Sequence, residues 1–169
     1  MRKLINQFKG YLTENRARKE DFDQGGIITL YHYSKPDTET LVLDPKYGAQ
    51  YYSKNDYIVS DVPRVFFYVD PADKERYFYG YNMFRVDVPS NQVYDLTADD
   101  QGYVAAARHP IYGLRNREEW NVLLEKIRED YGGVFYDTGR LKIVTWFSPI
   151  EVSRVPQEEQ AQLEGNQER

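Results

Sequence analysis

Histidine is scarce in this chain, two residues in 169, and one of them, His32, closes the apolar run Ile27-Ile28-Thr29-Leu30-Tyr31-His32-Tyr33-Ser34. An imidazole donates and accepts through its two ring nitrogens, and an ordinary pKa of about 6.5 lets a modest environment choose its charge. Two readings fit His32: a core or rim ring satisfied by a backbone carbonyl, or a cleft residue poised to accept a hydrogen bond or a proton. Arg64 precedes a second such run, Val65-Phe66-Phe67-Tyr68-Val69, where a guanidinium could clamp a phosphate or carboxylate. Sixteen tyrosines offer flat rings able to stack on a planar ligand, although packing in strands and at a wet core rim accounts for most of them.

Composition removes other chemistry. With no cysteine, disulfides, thiolate zinc sites and a cysteine nucleophile are excluded. Two histidines far apart in sequence do not suggest a metal site, so no metal is expected. A net charge of -5 argues against wholesale binding to nucleic acid, while leaving room for a local basic groove. No apolar run is long enough to span a bilayer and no secretory h-region opens the chain, so neither a membrane partner nor export by that route is expected.

Periodicity supplies the elements that would position these residues, and the length suits one domain with a real core. From Met1 to Lys19, Leu4, Ile5, Phe8, Tyr11 and Leu12 form the apolar stripe of a helix whose surroundings are basic. Residues 15–26 read as a linker, polar and glycine-ended from Asp21 to Gly26. Strands are expected at Ile27 to Tyr33, Leu41 to Leu43, Arg64 to Val69, Tyr79 to Val88, Val93 to Leu96 and Ile150 to Val155, with a hairpin across Val134 to Phe147. Tyr47 to Asp61 reads as a long loop. Asn116 and Glu119 make a capping pair for a helix that buries Trp120, Leu123, Leu124 and Ile127. The glutamine- and glutamate-rich tail, 156–169, is expected to be disordered. Strands outnumber helices without regular alternation, which predicts an α+β fold.

Two resemblances follow from these residues. The basic, apolar and Phe-containing N-terminal segment that ends Tyr11-Leu12-Thr13-Glu14 resembles the capsid-targeting peptide of T-even-type phage internal proteins, which ends in Leu or Ile, any residue, Glu. It implies recruitment of residues 1–14 by the prohead scaffold and a cut by the head protease after Glu14, with Leu12 and Glu14 as the cleavage determinants. The order of Leu30-Tyr31-His32-Tyr33-Ser34, Val93-Tyr94-Asp95-Leu96, Tyr131-Gly132-Gly133-Val134-Phe135 and Ile143-Val144-Thr145-Trp146-Phe147-Ser148-Pro149 resembles histidine-type ADP-ribosyltransferases over residues 27–155.

That second resemblance implies a split antiparallel sheet with flanking helices and NAD as substrate. It makes His32 the ribose-binding histidine, places Ser34, Arg64, Tyr68 and Tyr52 around the cofactor, and leaves Tyr51, Tyr52, Tyr57 and Tyr68 as stacking candidates. The family glutamate begins the closing strand, where this chain has Leu141 and Lys142. Asp137 and Glu151 are the carboxylates considered in its stead, with Glu151 the catalytic candidate, yet neither occupies the matching position. A lysine there would repel the positive charge that develops in the transition state. The expectations therefore divide three ways. The first is a head-packaged internal protein that enters the host cytoplasm with the genome and ADP-ribosylates host proteins or nucleic acid. The second is a non-catalytic relative that binds a host defence factor or serves in the virion. The third is a cellular α+β domain with an accidental Leu-Thr-Glu.

Overall fold

Alternation decides the two faces of β1, Ile27–Ser34: Ile28 and Leu30 are fully buried on one face, while Tyr31 and Tyr33 stand on the other. The computed structural model describes residues 16–48, 58, 60–74, 78–104 and 116–165. After β1 come β2 (Thr40–Leu43), a short helix α1 (Pro45–Gly48), β3 (Val65–Tyr68), β4 (Asn82–Pro89) and β5 (Val93–Asp95). The chain continues with α2 (Arg117–Asp130), β6 (Gly133–Asp137), β7 (Lys142–Trp146), β8 (Ile150–Arg154) and α3 (Gln157–Gly165).

The strands form one eight-stranded sheet in the order β2-β8-β4-β1-β3-β7-β6-β5. The pairs are antiparallel except β5 with β6. The fold is α+β, as the pattern of elements predicts. β1 and β4 pair over the full length of β1, but β1 and β3 share one register pair, Tyr31 opposite Tyr68. This is the narrow seam between a β2-β8-β4-β1 half and a β3-β7-β6-β5 half.

One face of the sheet carries a continuous apolar cluster that includes Leu30, Phe67, Phe84, Phe135, Val144 and Val152. Ala17 and Phe22, the latter in the short helical turn Lys19–Phe22, pack against it. We call this the inner face. The outer face of the β3-to-β5 half is covered by α2 through Trp120, Leu123, Leu124 and Ile127. Asn116 caps that helix as expected, its side chain accepting from the Glu119 amide at 2.8 Å.

Two boundaries differ from expectation. Residues 16–22 are not a free linker: the Ala17 amide donates to Asp137 at 2.7 Å, the Lys19 amide to Asp95 at 2.9 Å, and the Phe22 ring packs 6.0 Å from that of Phe135. The tail is not disordered over Gln157–Gly165, which is helical and docked on the outer face of β4. Local composition favours disorder there, but side-chain contacts to distant strands override it.

Candidate functional site

His32 stands at the seam. Its Nδ1 lies 2.9 Å from the carbonyl oxygen of Phe66, and its ring meets Phe67 edge-on with centroids 5.7 Å apart. The contact is the carbonyl-satisfied arrangement that one of the two sequence readings allowed. A carbonyl can only accept, so Nδ1 carries the proton and donates, leaving the Nε2 lone pair as an acceptor. Burial pushes the imidazole pKa below its ordinary value, with the Phe66 carbonyl opposing. The ring is therefore neutral at pH 7, in one tautomer and one orientation.

Strand alternation puts Ser34 on the same inner face, two residues beyond His32 and opposite Asn82 of β4. Arg154 of β8 is in register with Phe84, itself opposite His32, so the three residues run in a row across β1, β4 and β8. Arg154 donates from Nη2 to Asn82 Oδ1 at 2.7 Å and pairs through Nη1 with Asp37. Asn82 Nδ2 donates to the carbonyls of Lys35 and Pro36, holding the turn after β1. The polar group His32, Ser34, Asn82, Arg154 and Asp37 thus rims one end of an otherwise apolar face. Asn82 and Arg154 carried no sequence signal of their own, because their place depends on which strands flank β1.

The other proposed cofactor residues are not brought here. Tyr68 lies on the outer face, opposite Tyr31, with its ring 6.0 Å from Tyr33 and 6.4 Å from Phe78. Arg64 is 1% exposed on the α2 side. Its Nη2 donates to the Ile58 carbonyl at 2.9 Å and its guanidinium sits 5.2 Å above the Phe66 ring. Glu151 is exposed on β8, opposite Val42 and on the face away from Val152, two strands from β1. Leu12, Glu14, Tyr51, Tyr52, Tyr57 and the second histidine, His109, lie outside the described residues.

The position that the resemblance reserves for a glutamate is occupied by an ion pair. Asp73, in a short turn after β3, accepts from the Lys142 amide at 2.7 Å and sits 3.4 Å from its ammonium. Burial raises the Asp73 pKa, with Lys142 opposing. Lys142 is two strands and two residues from His32, roughly 12 Å along the sheet by strand spacing and rise. Asp137, the other substitute considered, is engaged by the amides of Ala17 and Gly139 at 2.7 Å each. Asp95 accepts from Lys19, Thr97 and Ala98.

A cavity of about 260 Å³ opens elsewhere, at the β5 edge, between Arg18 to Glu20 and the rings of Tyr94 and Tyr131. None of the residues singled out from the sequence as site candidates lines it. Among the described residues no cluster of His, Asp or Glu could hold a metal ion, and no helix is long and apolar enough to cross a membrane. No family model, no curated protein and no solved structure matches this chain.

Proposed function

We propose that this chain is a head-packaged phage protein whose domain is a non-transferring relative of ADP-ribosyltransferases, binding NAD or its ADP-ribose moiety through the His32 end of the inner face. The observation that carries this reading is the fixed, neutral imidazole of His32, with Nε2 as an acceptor, beside Ser34 and Asn82. A ribose hydroxyl donates to such an acceptor. Transfer needs in addition a carboxylate that stabilises positive charge on the ribose. Asp95 and Asp137 are held by backbone amides, Asp73 by Lys142 and Asp37 by Arg154, while Glu151 is on the opposite face. Binding without turnover follows, and the function is then exerted on a host protein by occupancy.

Titration with NAD and with ADP-ribose, alongside incubation with radiolabelled NAD and host extract, tests the reading. NAD is expected to bind, His32→Ala to weaken binding at least tenfold, and no label to reach any acceptor. His32-dependent labelling restores the enzyme, and a folded protein blind to both ligands removes the nucleotide altogether.

Packaging rests on Leu12-Thr13-Glu14. Ala17, the second of the described residues, is held through its amide by Asp137, and a cut after Glu14 spares that contact. On this reading the scaffold recruits residues 1–14, the head protease releases them, and the remainder travels from the capsid interior into the host cytoplasm. Protein recovered from particles is expected to begin at Asn15, and an intact Met1 in particles overturns the packaging step.

A further inference from the structure

α3 is fastened to the sheet by polar contacts, and those contacts describe a recognition surface. β8 ends at Arg154, in register with Phe84; past it the Val155 amide still donates to the Met83 carbonyl at 2.9 Å, and the next place along this side of β4 is left to a side chain. The Gln160 carboxamide takes that place: Oε1 accepts from the Met83 amide at 3.1 Å and Nε2 donates to the Tyr81 carbonyl at 2.9 Å. A donor and an acceptor presented to alternate residues of a strand imitate a peptide group of a neighbouring strand. On either side Glu159 pairs with Arg85, and Glu164 with Lys74 at 2.8 Å. Leu163 completes the contact against Tyr33, Met83 and Val155.

The hold is uneven. No α3 residue is buried, and the Arg85 and Glu159 side chains are each 39% exposed, where an ion pair is screened by salt and contributes little, whereas the Lys74 and Glu164 side chains are 8% and 27% exposed. A nine-residue helix is too short to persist in water without its docking face. The charged groups that α3 meets, Arg85 and Lys74, are cationic, with Lys74 4.6 Å from the Tyr79 ring centroid and Lys35 5.4 Å from that of Tyr81, and Asp87 is the acidic residue on the same face of β4; α3 has three glutamates and no basic residue.

We propose that the outer face of β4 is a docking surface for acidic helices of partner proteins and that α3 is its exchangeable occupant in cis. The sequence from Glu159 to Glu164, Glu-Gln-x-x-Leu-Glu, states what the surface reads. The two glutamates meet Arg85 and Lys74, the glutamine meets the β4 edge, and the leucine meets the aromatic cluster. An acidic helix fits better than a nucleic acid, since a phosphate only accepts and cannot reproduce the donor that Gln160 offers to the Tyr81 carbonyl. The surface is independent of the NAD reading, which concerns the opposite face.

The test uses the full chain carrying Glu159→Gln, Gln160→Ala and Glu164→Gln, with a fluorescein-labelled peptide of residues 155–165 as the helix in trans. The Met83 amide is expected to exchange with solvent at least tenfold faster in the variant than in the unaltered chain and to be protected again by the peptide. The peptide is expected to bind the variant at least tenfold more tightly. Unchanged Met83 exchange, equal affinity, or capture of a twelve-nucleotide oligothymidylate in place of the peptide overturns the proposal. A charge swap keeps the test alive if the triple variant does not fold. A Glu159→Arg peptide is expected to bind the full chain carrying Arg85→Glu and not the unaltered chain, and absence of that rescue overturns the proposal as well.

Discussion

Nδ1 of His32 donates to the carbonyl oxygen of Phe66 across 2.9 Å, at the seam where β1 and β3 hold only Tyr31 and Tyr68 in register. The side chain bridges strands whose backbones do not continue their ladder, so His32 has a structural task. Burial depresses its pKa below the ordinary 6.5. Between the folded and unfolded values the unfolded chain binds a proton that the folded chain does not, so this contribution to stability is complete above about pH 6.5 and is lost as acid is added. Urea unfolding midpoints measured from pH 8 to pH 5.5 are expected to fall. In His32→Gln, whose amide can still donate to Phe66 but does not titrate, that part of the fall should vanish.

Arg64 and His32 make opposite predictions. Arg64 is 1% exposed, and among the described residues its Nε and Nη1 have no hydrogen-bond partner. A buried cation so poorly compensated is costly, and an apolar side chain of similar length is often neutral or stabilising in its place. Arg64→Met is expected to leave the melting temperature unchanged or to raise it. Because Arg64 lies on the outer face, NAD affinity should not change. A tenfold loss of NAD binding in this variant would place the ligand on the outer face and overturn the His32 site.

Gly132 and Gly133 separate side-chain crowding from backbone crowding. A Cβ on Gly132 would meet Trp146 ring carbons at 2.6 and 2.8 Å, whereas one on Gly133 would meet the Thr145 carbonyl oxygen at 2.6 Å as well as the Trp146 ring. Each alanine substitution is expected to cost about 1–3 kcal/mol. Trp146→Leu should recover much of the loss in Gly132→Ala and little in Gly133→Ala, where the strand itself obstructs. A double-mutant cycle on urea midpoints reads the difference.

What was legible in the sequence was what local pattern encodes. The α2 cap at Asn116 and its buried Trp120, Leu123, Leu124 and Ile127 follow from a capping pair and a helical stripe within a dozen residues. In β4, Phe84 and Val88 are buried while Asp87 is exposed, as period-two alternation predicts. The candidate site was legible along β1, where His32 and Ser34 necessarily share a face, and not across strands. Tyr68, Arg64 and Glu151 parted from His32 because face and strand order depend on pairings that no local window contains. The same holds for α3, fixed by Arg85, Lys74 and the β4 edge, and for residues 16–22, whose amides find Asp137 and Asp95 at separations of 120 and 76 residues.

Those two aspartates make the anchoring of residues 16–22 testable. Asp95 Oδ2 accepts from the Lys19 amide and Oδ1 from the amides of Thr97 and Ala98, and Lys19 Nζ donates to the carbonyls of Ser90 and Val93 at 2.9 Å each. Phe22 adds its ring to the inner-face cluster. A chain beginning at Asn15 keeps all of these contacts, while one beginning at Gln24 loses the Lys19 and Phe22 contacts together. The first is expected to melt with the full-length protein and the second well below it. Asp95→Ala should fall between them, since three backbone amides lose a charged acceptor, at about 1–3 kcal/mol for each that stays buried and unsatisfied. Should the chain from Gln24 prove as stable as the full protein, residues 16–22 would be a passive linker after all.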